Sequence, residues 1–222
     1  MKIHTQTPRK HRSGFTLVEM IGVLAIVAIL GSLLLPRVFN AINRAKINSS
    51  AMVLNTMKAA VTEAYSEKGQ FTLADGSAVL PANLPLDYDA DVLLPRQFVN
   101  QEFSSRIGVD DADSEHQIIL AAPDAGAVDG IAVAWDLDGD ATGSDSDGDG
   151  TPDQFNDIAT HQFAVYAYIP NVSIKDAIDL SNTVDGTDLS VANEANGDAL
   201  GRVIYAAPAG GTTDIMVYLV SR

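Results

Sequence analysis

Hydrophobic residues run almost without interruption from Phe15 to Leu35, and Glu19 is the one charged residue among those 21. A helix needs about 20 apolar residues to cross the hydrocarbon core of a bilayer, so the run predicts a membrane-spanning helix. A secretory signal has a shorter apolar core followed by a small-residue cleavage site. Neither feature is present, and the segment reads as one that stays in the protein. Pro36 removes a backbone donor and predicts a kink or local loosening, to which Gly31 adds freedom. After it, apolar residues recur at Val38, Ala41, Ile42 and Ala45, then at Met52, Val61, Ala64 and Tyr65, spacings that suit one buried helical face. Lys68-Gly69 is the expected stop, with glycine at the C-terminal cap. A helix from Phe15 to Lys68 is about 80 Å long at 1.5 Å per residue.

Beyond Gly69 the helical period is lost. Residues 70–115 carry Pro81, Pro85 and Pro95 among many Asp, and predict loops with a short helix near Pro95 to Ser104. Strand signals follow at Gln117–Ala122, at alternating Ile131, Val133 and Trp135, at alternating Phe163, Val165 and Ala167, at Val203–Ala206 and at Asp214–Val220. One long helix followed by strand runs predicts an α+β fold with an antiparallel sheet packed on the helix. The organisation expected is a leader at 1–14, a transmembrane helix at 15–35, its amphipathic continuation at 36–68 and a globular head at 69–222.

Charge refines this picture. The leader holds Lys2, Arg9, Lys10 and Arg12 and no acid. Arg37, Arg44 and Lys46 follow the span, so the positive-inside bias favours a cytoplasmic leader only narrowly. The whole chain has a formal charge of −15, and losing the four leader cations takes it to −19. Arg37, Arg44, Lys46 and Lys58 precede the first acid of the stem, Glu63, so a basic stem lies under an acidic head. Solvated residues on a polar helix face and attraction between neighbouring subunits explain that pattern equally well. The acidity argues against nucleic-acid binding by the head, because phosphate contacts need clustered Lys and Arg.

Glu19 needs a reason, since an acid at the bilayer centre costs about 2.5–3.5 kcal/mol and less near an interface. It lies one helical turn after Phe15. A cut between Gly14 and Phe15 would create an α-amine at Phe15 that is mostly protonated near neutral pH. Glu19 would neutralise that amine, or the amine of a neighbouring subunit, making a head-to-tail register device. The stretch Gly14-Phe15-Thr16-Leu17-Val18-Glu19 with its hydrophobic helix resembles the junction of type IV pilin-like proteins, the group of type IV pilins and type II secretion pseudopilins. The resemblance covers about the first 40 residues. It implies cleavage after Gly14 by a membrane-embedded aspartyl prepilin peptidase, N-methylation of Phe15, an assembly role for Glu19 and the family's helix proline at Pro36. It also implies that the stretch before Pro36 unwinds in a filament.

A second segment, Asp136 to Asp157, holds eight Asp and no Lys or Arg. Asp145, Asp147, Asp149 and Gly150 have the D-x-D-x-D-G spacing of a calcium loop, in which alternate residues present oxygen ligands and glycine permits the turn. Thr151 would add its carbonyl and Asp153 would bind directly or through water. Asn156 stands where the EF-hand has its closing Glu, with Asp157 beside it, and no helix pattern flanks the loop. The segment is more similar to the calcium loops of thrombospondin type 3 repeats. Asp136, Asp138 and Asp140 form a poorer second set, with Ala141 where glycine is wanted. Hard oxygen ligands suit Ca2+, in a bracing role. The chain has no Cys, so no disulfide staples the head. Major pilins often carry a disulfide, whereas some pseudopilins rely on calcium.

Catalysis finds little support. His4 and His11 fall in the leader, His116 and His161 stand apart, and no hydrolase, zinc or phosphate-loop motif is present. Tyr166, Tyr168 and Trp135 read as sheet packing. The expectation is a non-enzymatic structural subunit of a type IV pilus or type II secretion pseudopilus. It would be anchored by one span in the inner membrane, then built into a periplasmic or extracellular filament. Its partners would be copies of itself or other pilins, the prepilin peptidase, the inner-membrane assembly platform and membrane lipid. The other readings are a minor tip pilin and a membrane-anchored calcium-dependent binding protein that never polymerises.

Overall fold

The computed structural model describes residues 14–111, 114–121, 127–128, 131–132, 162–187, 189, 197–198, 200–208 and 210–222. Residue contacts divide the chain into two compact units, Met1–Ile42 and Asn43–Arg222.

Helix α1 spans Leu17–Lys68, with Pro36 inside it. It starts two residues later than the apolar run suggests, because Thr16 acts as its cap. It remains helical up to and through Pro36, so the unwinding expected before the proline is absent from this single chain. Gly69 ends it with φ +71°, and its N–H donates to the Tyr65 carbonyl at 2.8 Å. That left-handed conformation is the one glycine adopts at little cost after a helix.

Within the second unit, α1 buries Ile47, Ser50, Leu54, Met57, Ala60, Val61 and Ala64. These positions lie three, four and seven residues apart and make one stripe. Val61 and Ala64 of the expected face belong to it. Val38, Ala41, Ile42, Ala45 and Met52 do not: all are exposed, Met52 by 71%. Apolar residues occur on both sides of the helix here, so periodicity alone does not select the side that meets the sheet.

The sheet has the order β1-β2-β5-β7-β6 and every pairing is antiparallel. Its strands are β1 (Leu86–Asp87), β2 (Gln117–Ala121), β5 (Ala164–Ser173), β6 (Val203–Tyr205) and β7 (Thr212–Ser221). A separate short hairpin pairs β3 (Ala127–Val128) with β4 (Ile131–Ala132). Val133 and Trp135 of the proposed alternating strand lie outside the described residues. The central strand β5 is buried on both faces. Val165, Ala167 and Ile169 join the α1 core, while Ala164, Tyr166 and Tyr168 pack with Ile119, Ile204 and Met216. A continuous apolar run is what two-sided burial requires.

Helix α2 (Ile174–Val184) continues directly from β5. Ser173 caps it, its side chain accepting from the Asp176 N–H at 3.2 Å, and Ala177 and Leu180 are buried. The sequence carries a signal for this helix, the Ser173-x-x-Asp176 cap and apolar Ile174, Ala177, Ile178 and Val184 at helical spacing, but it runs on directly from the strand signal of β5. The helical piece expected at Pro95–Ser104 is displaced: one turn of π-helix forms at Asp89–Leu93 and a single 3-10 turn at Pro81–Asn83. The shift has a local cause. Asp89 is buried and its carboxylate accepts from the Phe103 N–H at 2.5 Å and the Ile118 N–H at 2.6 Å. The Phe103 N–H is thereby spent on a side chain, and residues 94–97 form turns without propagating a helix.

Candidate assembly site

The described chain opens at Gly14, where an added side-chain carbon would meet nothing within 4 Å, so the backbone at the expected cut is open. Phe15 is 79% exposed. Thr16 and Glu19 then bind each other reciprocally. The Thr16 N–H and its hydroxyl both donate to Glu19 Oε2 at 2.8 Å, and the Glu19 N–H donates to Thr16 Oγ1 at 3.2 Å. This is a capping box, which satisfies two of the N–H groups that a helix start leaves without partners. Its signature, Thr-x-x-Glu before an apolar run, is present in Thr16-Leu17-Val18-Glu19 but is hidden by the stronger apolar signal.

The box changes the chemistry available to Glu19. A carboxylate withdrawn from water is tolerated only when its lone pairs are occupied. In the single chain the main-chain and side-chain donors of Thr16 fill that need. The carboxylate is at the same time one turn from Phe15, at the positive end of a helix macrodipole. An incoming ammonium therefore meets a negative group already oriented and held at a helix start.

Beyond the box, Leu17, Val18, Met20, Ile21, Val23, Leu24, Ile26, Val27, Ile29, Leu30 and Leu33 to Leu35 are all exposed, each by 45% or more. Their spacing carries them around the whole circumference of α1. A helix that is apolar all round is stable only inside a bilayer or among other such helices. The helix is long and apolar enough to cross a membrane.

The other expected site residues fare differently. Pro36 lies within α1. The proposed calcium ligands Asp145, Asp147, Asp149, Thr151, Asp153, Asn156 and Asp157, and the second set Asp136, Asp138 and Asp140, lie outside the described residues, as does His161. Among the described residues, no three acidic, His or Cys side chains are grouped to hold a metal. His116 is structural: its Nδ1 pairs with Asp110 and its Nε2 lies 3.0 Å from the Ile107 carbonyl, closing the loop before β2. Tyr166 and Tyr168 pack in the sheet as expected.

The prokaryotic N-terminal methylation motif matches residues 9–35. The fimbrial protein EcpC of Eikenella corrodens is 30% identical over 83 residues, which is 37% of this chain and 54% of that protein. A fimbrial protein of Neisseria meningitidis serogroup A is 36% identical over 67 residues, 30% of this chain and 39% of that protein. The chain thus spans about half the length, or less, of these curated relatives. No solved structure matches.

Proposed function

Starting from a chain that is type IV pilin-like, we propose that it is a filament subunit, cut after Gly14, methylated on Phe15 and polymerised through α1. The observation that carries this reading is the carboxylate of Glu19 at the first turn of an unsheltered apolar helix, directly behind an open Gly14-Phe15 junction. In the precursor, α1 crosses the inner membrane and the Glu19 carboxylate is held by its own cap. After cleavage, the Phe15 amine of one subunit pairs with Glu19 of another. The apolar helices then leave lipid for each other, keeping their surfaces out of water.

The role is structural. The two relatives are named as fimbrial proteins, which favours a pilus over a secretion pseudopilus. A prepilin peptidase and an inner-membrane platform are the partners this route requires. Ca2+ bound by Asp145, Asp147, Asp149, Thr151 and Asp153, with closure by Asn156 or Asp157, would offset the like charge of their segment and brace a head that has no Cys.

One substitution tests the proposal. Glu19→Gln keeps a capping-box side chain but loses the charge. The helix is expected to stay intact by circular dichroism in detergent while filaments vanish from sheared cells. Filaments at wild-type yield with Gln at position 19 would refute the charge-pairing role.

A further inference from the structure

Between Glu19 and Glu63 the chain has no acidic residue, although its formal charge is −15. The charged residues of that stretch are Arg37, Arg44, Lys46 and Lys58, and the first three fall within 11 residues of Leu35, where the apolar run ends. In the proposed precursor they lie on the exported side of the membrane. Lys and Arg close to a span oppose that orientation, so cations kept there need a compensating use.

Arg44 and Lys46 lie at the start of the second unit. Both are exposed, and Ile47 directly after them is the first buried residue of α1. Two residues apart on a helix, they project to opposite sides. A third cation is fixed beside them by main-chain geometry. The Arg106 N–H donates to Ser50 Oγ at 3.2 Å, and Ser105 Oγ donates to the same oxygen at 2.9 Å. Ser50 is one turn beyond Lys46, so the exposed Arg106 is held where α1 enters the unit. Among the described residues no carboxylate forms an ion pair with Arg44, Lys46 or Arg106. Lys58, Lys68, Arg202 and Arg222 lack one as well, so it is place that singles out these three. Arg44 follows Leu35 by nine residues, about 14 Å along an α-helix. The headgroup layer occupies about 6 Å of that distance, which leaves Arg44 about one Debye length from the phosphates. Long Arg and Lys side chains shorten the gap further.

We infer that Arg44, Lys46 and Arg106 form a collar that binds anionic phospholipid headgroups at the exported face of the membrane. The inference rests on the membrane-anchored precursor and not on polymerisation. A helix that enters a bilayer meets headgroups on every side, so cations on opposite sides of α1 both contribute. The partner follows from charge: a layer of phosphodiesters is complementary to the collar and repels the acidic remainder of the chain. Each Lys or Arg held near an anionic surface contributes about fivefold in affinity. The collar thereby sets the depth at which α1 sits in the bilayer.

The chain has no Cys, so Ala45→Cys gives the full-length protein a single attachment point between Arg44 and Lys46. A nitroxide placed there broadens the 31P signals of headgroups close to it. The label is read in nanodiscs that hold one chain among mixed phosphatidylglycerol and phosphatidylcholine, so no neighbouring subunit competes. The expected result is broadening of the phosphatidylglycerol signal about fivefold beyond that of phosphatidylcholine. Arg44→Gln, Lys46→Gln and Arg106→Gln together are expected to make the two signals broaden alike, with helix content by circular dichroism retained. Arg44→Lys with Lys46→Arg is expected to keep the preference. Equal broadening in the labelled parent chain, a preference that survives the triple substitution, or no broadening of either signal would overturn the collar. Filament yield does not enter this readout, so a failure to polymerise refutes the filament reading and leaves the collar standing.

Discussion

The Glu19 carboxylate caps its own helix, and the assembly role proposed for it is separable from that one. As a capping residue it needs an acceptor oxygen, which Gln also has. For the proposed assembly role it needs a charge, which Gln lacks. Thr16→Ala removes the other half of the box and is expected to cost about 1 kcal/mol of helix stability, as cap removal generally does. Fraying at the start of α1, read by amide exchange in detergent, checks this. In the second unit, burial raises the Asp87 pKa to about 7, with the neighbouring Asp89 carboxyl adding to the rise. A carboxyl that holds its proton more tightly when folded destabilises the fold once ionised. The penalty is absent below the unfolded value near 4, grows as pH rises, and is complete above about 7. Asp87→Asn is therefore expected to flatten the fall in melting temperature between pH 5 and 8. A wild-type slope in the variant would place that titration elsewhere.

At the scale of elements, legibility follows from pattern strength. The span, the stop at Lys68-Gly69 and the strands β2, β5, β6 and β7 are readable because length, glycine and apolar runs each have one physical meaning. The buried face of α1 is not. Met52 and Leu54 are both strongly apolar, and only the sheet's position decides that Leu54 is 2% exposed and Met52 71%. Leu54→Ala is accordingly expected to lose about 2–5 kcal/mol, and Met52→Ala almost nothing by the same denaturation measurement. Helix α2 escapes the pattern although Ser173-x-x-Asp176 resembles a cap, because the strand signal of β5 runs straight into it. The two-residue edge strand β1 carries too few positions to show a period. In the candidate site the acid is readable, whereas its cap is masked by the apolar run around it. The aspartates proposed for calcium, legible by their spacing, lie outside the described residues.

The whole molecule combines an apolar helical segment, exposed among the described residues, with a sheet-bearing unit that has its own core. The first demands partners and the second buries its own apolar side chains, a division that suits a subunit whose anchor becomes a filament core. If Ca2+ braces the Asp145–Asp157 segment, calcium added to the detergent-solubilised protein raises its melting temperature, and EDTA reverses the rise. A melting temperature indifferent to both would remove calcium from the account. The filament claim itself is tested most directly by intact-mass spectrometry of the protein isolated from native membranes and sheared filaments. The account predicts a chain that begins at Phe15, lighter by residues 1–14 and heavier by one methyl group on its amine. A chain still carrying residues 1–14, with Phe15 unmodified, would contradict it.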